Sequence, residues 1–222
     1  MIHILSLGGS IVVPDKVNIP FLKKFKALIL KQIKKGDKFV IVVGGGKTCR
    51  NYIEAAKKTT RLSTKDTDWL GIEATKLNAQ LLKTIFKGYV NKTILTDPTA
   101  KVKFNKPIFI GAGFKPGHST DLDAVNFAIK FKAKTVLNLS NINYVYDKDP
   151  NKYKGARPLK HLTWKEFFKF IDTSWGSGKH YPFDPVASKL AKSLKVIILK
   201  GTNIKNLEYL FNKKPFRGTI IN

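Results

Sequence analysis

Cysteine, arginine and acidic residues are all scarce in this sequence of 222 residues. Cys49 is its one cysteine, which excludes an internal disulfide and suits a reducing compartment. The four histidines are scattered and lack the spacing of a zinc site. No apolar run approaches the roughly 18 residues of a membrane helix, and the N-terminus does not resemble a signal peptide. The sequence therefore predicts a cytoplasmic protein without a membrane partner.

The scarcity of acids leaves a formal net charge of +26, with 41 Lys and Arg against 15 Asp and Glu. A charge of this size is typical of proteins that bind nucleic acid. Only four of the basic residues are Arg, however, and the lysines are spread over every segment instead of forming a tail or stripe. A bias of composition towards Lys, Asn and Ile explains the charge better. Nucleic acid is therefore not expected as the main partner, and binding to it stays an alternative based on charge alone.

Two glycine turns follow predicted strands near the start of the chain. Residues 39–43 form an apolar, β-branched run, typical of a strand buried on both faces, which ends at Gly44, Gly45 and Gly46 before a helical pattern. The turn Gly8-Gly9-Ser10 likewise follows a strand predicted over residues 2–7. A glycine turn at a helix N-terminus presents backbone N–H groups to anions, above all to phosphate. Each turn alone could be a tight connection, but together they predict a phosphate site at neighbouring strand ends.

Strands and helices alternate along the whole chain, which predicts an α/β fold: a three-layer αβα sandwich around a central, mainly parallel sheet. We expect a single domain over residues 1–222, with two lobes that meet near residue 130. Further strands are predicted over residues 90–95, 108–110, 135–139, 196–199 and 218–221. Helices are predicted over residues 19–33, from 47 up to a polar loop at 59–65, from about 67 to near 88, over 121–131 and over 164–170. Two more are predicted to start after caps at Asp184 and Asn203, and a flexible loop is predicted over 173–180.

Several shorter motifs allow more than one interpretation. Gly46-Lys47-Thr48 imitates the end of a P-loop, but Ile41 stands where that motif requires glycine. The stretch KPGHSTD at 115–121 could be a turn followed by a helix cap, or a ligand-binding loop, or both. His118 by itself could be a surface histidine, and residues 140–150 could be a plain loop ending in Asp-Pro.

Taken together, six stretches in order resemble the amino acid kinase family, and within it the archaeal-type uridylate (UMP) kinases. They are SLGGS at 6–10, VVGGGKTCRNYI at 42–53, DWLGIEATKLNA at 68–79, KPGHSTDLDAV at 115–125, SNINYVYDKDP at 140–150 and DPVASKLAKS at 184–193. The resemblance implies phosphoryl transfer from ATP to UMP, giving UDP in pyrimidine nucleotide biosynthesis. It also implies an acceptor lobe over about 1–130, an ATP lobe over about 131–222, and hexamers.

The resemblance also assigns roles to individual residues. The residues that would bind ATP are Gly9, Ser10, Gly46, Arg50, Ser140, Asn141, Tyr146 and Asp149. Those that would bind UMP are Gly45, Asp68, Phe114, Lys115, Pro116, Gly117, His118, Ser119 and Thr120. The catalytic residues would be Asp121, Asp184, Lys189 and Arg50. Mg²⁺ would be bound mainly through ATP, and no protein metal ligand is assigned.

Three positions depart from the family pattern. Ser6 stands where many members have Lys, which shifts the demand for a cation to Lys189, Lys47 or Arg50. Tyr144 replaces a glycine in the loop near the ATP nucleoside, and the stretch before PGHSTD carries Phe114 and Lys115. These departures keep two alternatives open: a kinase of another small phosphate or carboxylate acceptor, such as isopentenyl phosphate, and a non-catalytic nucleotide- or oxyanion-binding protein.

Overall fold

The computed structural model describes residues 1–150, 152–169, 171 and 181–222. The strands are β1 (Ile2–Leu7), β2 (Lys38–Val43), β3 (Ile108–Gly111), β4 (Thr135–Ser140), β5 (Val145–Tyr146), β6 (Pro158–Leu159), β7 (His161–Leu162), β8 (Lys195–Lys200) and β9 (Thr219–Ile221). The helices are α1 (Gly9–Val12), α2 (Ile19–Ile33), α3 (Gly46–Thr59), α4 (Thr64–Ile85), α5 (Thr120–Lys130), α6 (Trp164–Phe168), α7 (Pro185–Leu190) and α8 (Ile204–Phe211).

Seven of these strands form one sheet in the order β3-β2-β1-β4-β8-β9-β7. The five strands from β3 to β8 are parallel, whereas β9 pairs antiparallel with β8 and parallel with β7. Strands β5 and β6 form a separate antiparallel hairpin. The predicted α/β sandwich with a mainly parallel sheet is confirmed.

The sheet is covered on both faces because successive residues of each strand point to opposite sides. Leu5 and Ile41 belong to an apolar core shared with α2, α4 and α8. Their neighbours Ile4 and Val40 belong to a second core shared with α5, α6 and α7. This explains why the predicted strands are continuous apolar runs and do not alternate with polar residues.

Most predicted helix starts are confirmed by their caps. The side chains of Asn18, Ser119, Thr163, Asp184 and Asn203 each accept a hydrogen bond from a backbone N–H in the first turn of their helix. Within the described residues, no helix is long and apolar enough to cross a membrane. The end of α6 predicted at residue 170 and the loop predicted over 173–180 lie outside the described residues.

The strand predicted over residues 90–95 is wrong. This segment lies beside β3 but pairs with it only at two isolated bridges, from Val90 to Ile108 and from Leu95 to Gly111. Beside the first bridge, the buried side chain of Asn91 adds its own contacts: its Nδ2 donates to the carbonyls of Lys106 (2.8 Å) and Ile108 (2.7 Å). The polar loop predicted over 59–65 is also too long, because a capping box at Ser63 starts α4 at Thr64.

The chain reverses its direction of winding beside β1. It passes from β1 outward to β2 and β3, and then returns to β4 on the other side of β1. In open α/β sheets, ligands bind at the carboxyl ends of the strands next to such a switch point. The fold therefore places the turns that follow β1, β2 and β4 at the position where a ligand is expected.

Candidate functional site

The two glycine turns lie in direct backbone contact. Strands β1 and β2 end in register, with Leu7 opposite Val43, and the Gly44 N–H donates to the Leu7 carbonyl at 3.0 Å. A β-carbon on Gly9 would overlap the backbone nitrogen of Gly46 and lie 2.5 Å from the carbonyl carbon of Gly44. Gly46 has a φ of +64°, a conformation that favours glycine. Glycine is thus required on both sides of this contact.

The side chain of Asn78, on α4, contacts the second glycine turn. Its buried Nδ2 donates to the carbonyls of Gly44 (2.8 Å) and Gly45 (3.1 Å). With these carbonyl groups held by Asn78, the turn leads directly into the N-terminus of α3 at Gly46. The N–H groups of a first helical turn have no partner within the helix and attract anions. Asn78 therefore supports a backbone arrangement that can bind phosphate.

Arg50, in the first part of α3, contacts the loop that follows α1. Its guanidinium Nη2 lies 3.5 Å from the carbonyl of Pro14, in the loop that follows α1. The side chain is exposed. Lys47 is tied to the same loop through its backbone N–H, which donates to Val13 at 2.8 Å. The guanidinium of Arg50 and the backbone of Lys47 thus both contact the loop that follows α1.

A second part of the site is the segment 114–120, defined here as the acceptor loop. Lys115, Pro116, Gly117 and His118 form a turn closed by the His118 N–H, which donates to Lys115 (3.1 Å), with Gly117 at a φ of +82°. Asp68 of α4 accepts a hydrogen bond from the Gly117 N–H at 2.8 Å. The acceptor loop is therefore linked to the same helix that holds the glycine turn.

Asp121 and Asp184 lie together behind the glycine turns. The Oδ1 atom of Asp121 accepts hydrogen bonds from Ser6 (2.6 Å) and Asn138 (2.8 Å), and its Oδ2 accepts one from the Asp184 N–H at 3.3 Å. Burial raises the pKa of Asp121 to about 6, against the effect of the Ser6 hydrogen bond. Burial also raises the pKa of Asp184, although that carboxylate accepts a hydrogen bond from Ala187 at the start of α7. The site thus contains two carboxyl groups that bind a proton more readily than an exposed aspartate does, and whose charge a nearby cation would stabilise.

Lys189 lies on α7, just over one turn after the Asp184 cap, and its side chain is exposed. No ion pair of Lys189 occurs among the residues described. Its charge is therefore not committed to another described side chain.

The segment predicted for the ATP nucleoside begins at the end of β4. The Ser140 carbonyl accepts a hydrogen bond from the Gly201 N–H at 2.9 Å, and Tyr146 pairs with Pro158 in the β5–β6 hairpin. The Tyr144 ring makes an edge contact with the Tyr146 ring, with 6.3 Å between centroids. Tyr144 also borders a cavity of about 580 Å³ that Lys160 and Arg217 help to line. The tyrosine at the usual glycine position thus stands between the predicted nucleoside segment and a separate cavity.

The structure therefore brings the strand-end turns, Asp121, Asp184 and the acceptor loop to one edge of the sheet. Sequence reasoning missed Asn78 and Asn138, whose signal was a polar residue within an otherwise buried pattern. It gave no role to Asp123, although this residue is fully buried. Among the residues described, no group of three or more His, Cys, Asp or Glu could hold a metal ion.

Comparison with known proteins gives a consistent result. Residues 1–200 match the sequence profile of the amino acid kinase family. The chain is 36% identical to the uridylate kinase of Methanocaldococcus jannaschii over 224 residues, which cover 98% of each chain. It is 33% identical to the uridylate kinase of Methanococcus aeolicus, over 99% of this chain and 98% of that relative. The solved uridylate kinase of Archaeoglobus fulgidus matches 100% of this chain and 99% of its own, with a TM-score of 0.83 and 27% identity.

Proposed function

Because the chain belongs to the amino acid kinase family, we propose that it transfers the terminal phosphoryl group of ATP to UMP, giving ADP and UDP. The observation that carries this proposal is the backbone contact between the two glycine turns at the switch point of the sheet. Two phosphate-binding turns in contact suit the meeting of a donor and an acceptor phosphate. The near full-length similarity to uridylate kinases supports UMP as the acceptor.

In this proposal each turn serves one nucleotide. Gly9, Ser10 and Gly46 bind the ATP phosphates, and Gly45 faces the UMP phosphate. Arg50 spans both, since its planar guanidinium can bind two phosphate oxygens at once. The UMP phosphate is already an anion, so the acceptor needs no strong general base. Rate acceleration then comes from in-line positioning and from neutralising the charge on the transferring group.

Asp121, Asp184 and Lys189 complete the catalytic group in this proposal. Asp184 begins α7 and so fixes the helix that carries Lys189 towards the transferring phosphoryl group. Ser6, which replaces the usual Lys, donates a hydrogen bond to Asp121 and cannot supply positive charge. We therefore assign that charge to Lys189, Arg50 and Lys47.

The nucleosides bind on either side of the turns. Asp68 Oδ2 is engaged by Gly117, and its Oδ1 has no hydrogen bond within the described residues, so it can accept one from the UMP ribose. The acceptor loop lines the uridine pocket in the acceptor lobe (about 1–130). Ser140, Asn141, Tyr146 and Asp149 bind the ATP nucleoside in the ATP lobe (about 131–222).

In this proposal Mg²⁺ binds together with ATP. It is bound mainly by the substrate phosphates, and no protein ligand is assigned to it. When bound, Mg²⁺ neutralises charge on the donor phosphates. We also propose a cytoplasmic location, consistent with one free cysteine, and assembly into hexamers.

A coupled assay of ADP release tests the proposal with UMP, CMP, dUMP and AMP as acceptors. We expect UMP to be used best, and Arg50→Lys to lower kcat/KM on the order of 100-fold because bidentate phosphate binding is lost. Arg217→Lys is the matched control, since Arg217 lines the 580 Å³ cavity, whose lining includes no residue of the two turns.

Absence of turnover with UMP contradicts the proposal. Turnover with isopentenyl phosphate in its place would identify another kinase of the same fold, whereas tight ATP binding without any transfer would identify a non-catalytic binding protein. Equal activity of Arg50→Lys and Arg217→Lys would remove Arg50 from the site.

A further inference from the structure

Asp123 is a fully buried carboxylate next to the acceptor loop, and the proposed mechanism does not use it. Its Oδ2 accepts a hydrogen bond from the Phe114 N–H at 3.1 Å. Its Oδ1 lies 3.1 Å from Nδ1 of His118. Asp123 lies on α5, four residues after the Ser119 cap. The helix therefore holds the carboxylate that contacts the loop at Phe114 and at His118. One buried side chain thus fixes both the path of the acceptor loop and the orientation of its only imidazole.

The contact with Asp123 also fixes the tautomer of His118. An ionised carboxylate can only accept hydrogen bonds, so Nδ1 must carry a hydrogen and donate it. In the neutral imidazole Nε2 then carries a lone pair and can only accept. Nε2 has no hydrogen bond within the described residues, and the side chain is 20% exposed. The loop therefore presents a hydrogen-bond acceptor on the side of the ring that faces away from Asp123.

Other groups of the loop limit the hydrogen bonds that a bound base can form. The Phe114 side chain offers only an apolar ring, which meets the His118 ring edge-on at 5.4 Å, and the Phe114 N–H is already bound to Asp123. Lys115 Nζ lies 5.2 Å from the centre of the Phe114 ring, and an ammonium group only donates. The side chains of Phe114, Lys115 and His118 thus supply one acceptor and one donor beside an aromatic surface.

We propose that Asp123 and His118 select uracil over cytosine, with Asp123 as a positioning residue and His118 Nε2 as the group that contacts the base. This inference rests on the proposed function. Uracil offers an N3–H donor next to an O4 acceptor, which complements His118 Nε2 and Lys115. Cytosine offers an N3 acceptor next to an amino donor. His118 Nε2 would then face a second acceptor, and Lys115 would face a second donor. A site that leaves such groups unpaired rejects the wrong ligand strongly.

Asp123→Asn tests the tautomer with almost no change in side-chain size. The amide oxygen can still accept from the Phe114 N–H, but its NH₂ group then faces Nδ1 and favours the tautomer with hydrogen on Nε2. We expect the ratio of kcat/KM for UMP to that for CMP to fall ~10-fold or more at pH 8, with KM for ATP unchanged. The matched control is Asp37→Asn, because Asp37 lies 3.3 Å from His3 at the opposite end of the sheet. This control should leave the ratio unchanged.

A second variant covers the case in which Asp123→Asn does not fold. His118→Phe removes the accepting nitrogen from a partly exposed ring, and the preference for UMP over CMP should fall to near unity. The inference is overturned if either folded variant loses activity equally with UMP and CMP, or if KM for ATP rises instead. It is also overturned if the ratio does not change. If the wild type uses neither pyrimidine, the proposed function itself is wrong and the inference falls with it.

Discussion

At the scale of single residues, the charge on Asp121 works against the stability of the fold. Burial raises its pKa to about 6, from an ordinary value of 3.8. Between these two pH values the folded chain holds a proton that the unfolded chain has lost. The stability associated with this proton is present below about pH 4 and is lost as the pH rises through about 6. A charged Asp121 at neutral pH is thus a destabilising feature at the centre of the proposed site.

We predict that Asp121→Asn becomes more stable relative to the wild type as the pH rises from 4 to 7, by at most about 3 kcal/mol. Denaturant unfolding at several pH values measures this difference. Glu208→Gln is a control of opposite sign, because the Lys31 hydrogen bond lowers the pKa of Glu208. The stability that Glu208 contributes is present at neutral pH and lost on acidification. A difference for Asp121→Asn that stays flat with pH contradicts the prediction.

The family resemblance of their motifs was enough to assign Asp121 and Asp184 from sequence, but not the contacts around them. Asn138 was hidden within an apolar strand, and only the pairing of β4 with β1 brings it to Asp121. Asp123 could be recognised as a scarce acid, but not as a partner of His118. Such contacts depend on helix rotation and strand register, which short-range periodicity does not determine.

At the scale of elements, the contact between the glycine turns depends on the absence of side chains. The Gly9 position is enclosed by backbone atoms of Gly44 and Gly46, which cannot rotate away as a flexible side chain would. We predict that Gly9→Ala abolishes turnover and destabilises the fold by more than about 2 kcal/mol, because strands β1 and β2 must separate at their ends. Thermal unfolding and the ADP assay measure the two effects.

Gly155→Ala is the control, since its new methyl group would meet only Lys148 Nζ, at 3.8 Å. It should change neither activity nor stability appreciably. Activity of Gly9→Ala close to that of the wild type would show that the turns can separate without harm, and would remove the main structural support for the proposed function.

Element order was predictable because continuous apolar runs and helix caps are strong local signals, as in β1, β2 and α2. The prediction of a strand over residues 90–95 failed because the segment pairs with β3 only at its two ends, and pairing between distant segments is not determined by a local apolar pattern. The antiparallel direction of β9 was also not predictable, since a strand of three residues carries no signal of its direction.

At the scale of the whole molecule, net charge and exposed apolar side chains have opposite effects on the association of copies of this chain. The net charge of +26 repels other copies, whereas α3 and α4 expose Tyr52, Trp69 and Leu77 to solvent. Exposed apolar groups on neighbouring helices are typical of surfaces that bind another protein. We therefore expect copies of this chain to associate through the α3–α4 face, more strongly when salt screens their charge.

Light scattering at about 0.1 M and 1 M salt tests this expectation, because the screening length falls from about 10 Å to about 3 Å. The oligomer should persist or grow at high salt, and Trp69→Lys should shift it towards smaller species at both salt concentrations. Ile129→Lys adds the same charge at a similarly exposed apolar residue, 47% against 42%, on α5 and should have a smaller effect. A monomer at every salt concentration, or equal effects of the two variants, would contradict association through this face. Since the lysines are spread over the whole chain, salt can act on this equilibrium without any local ion pair between copies.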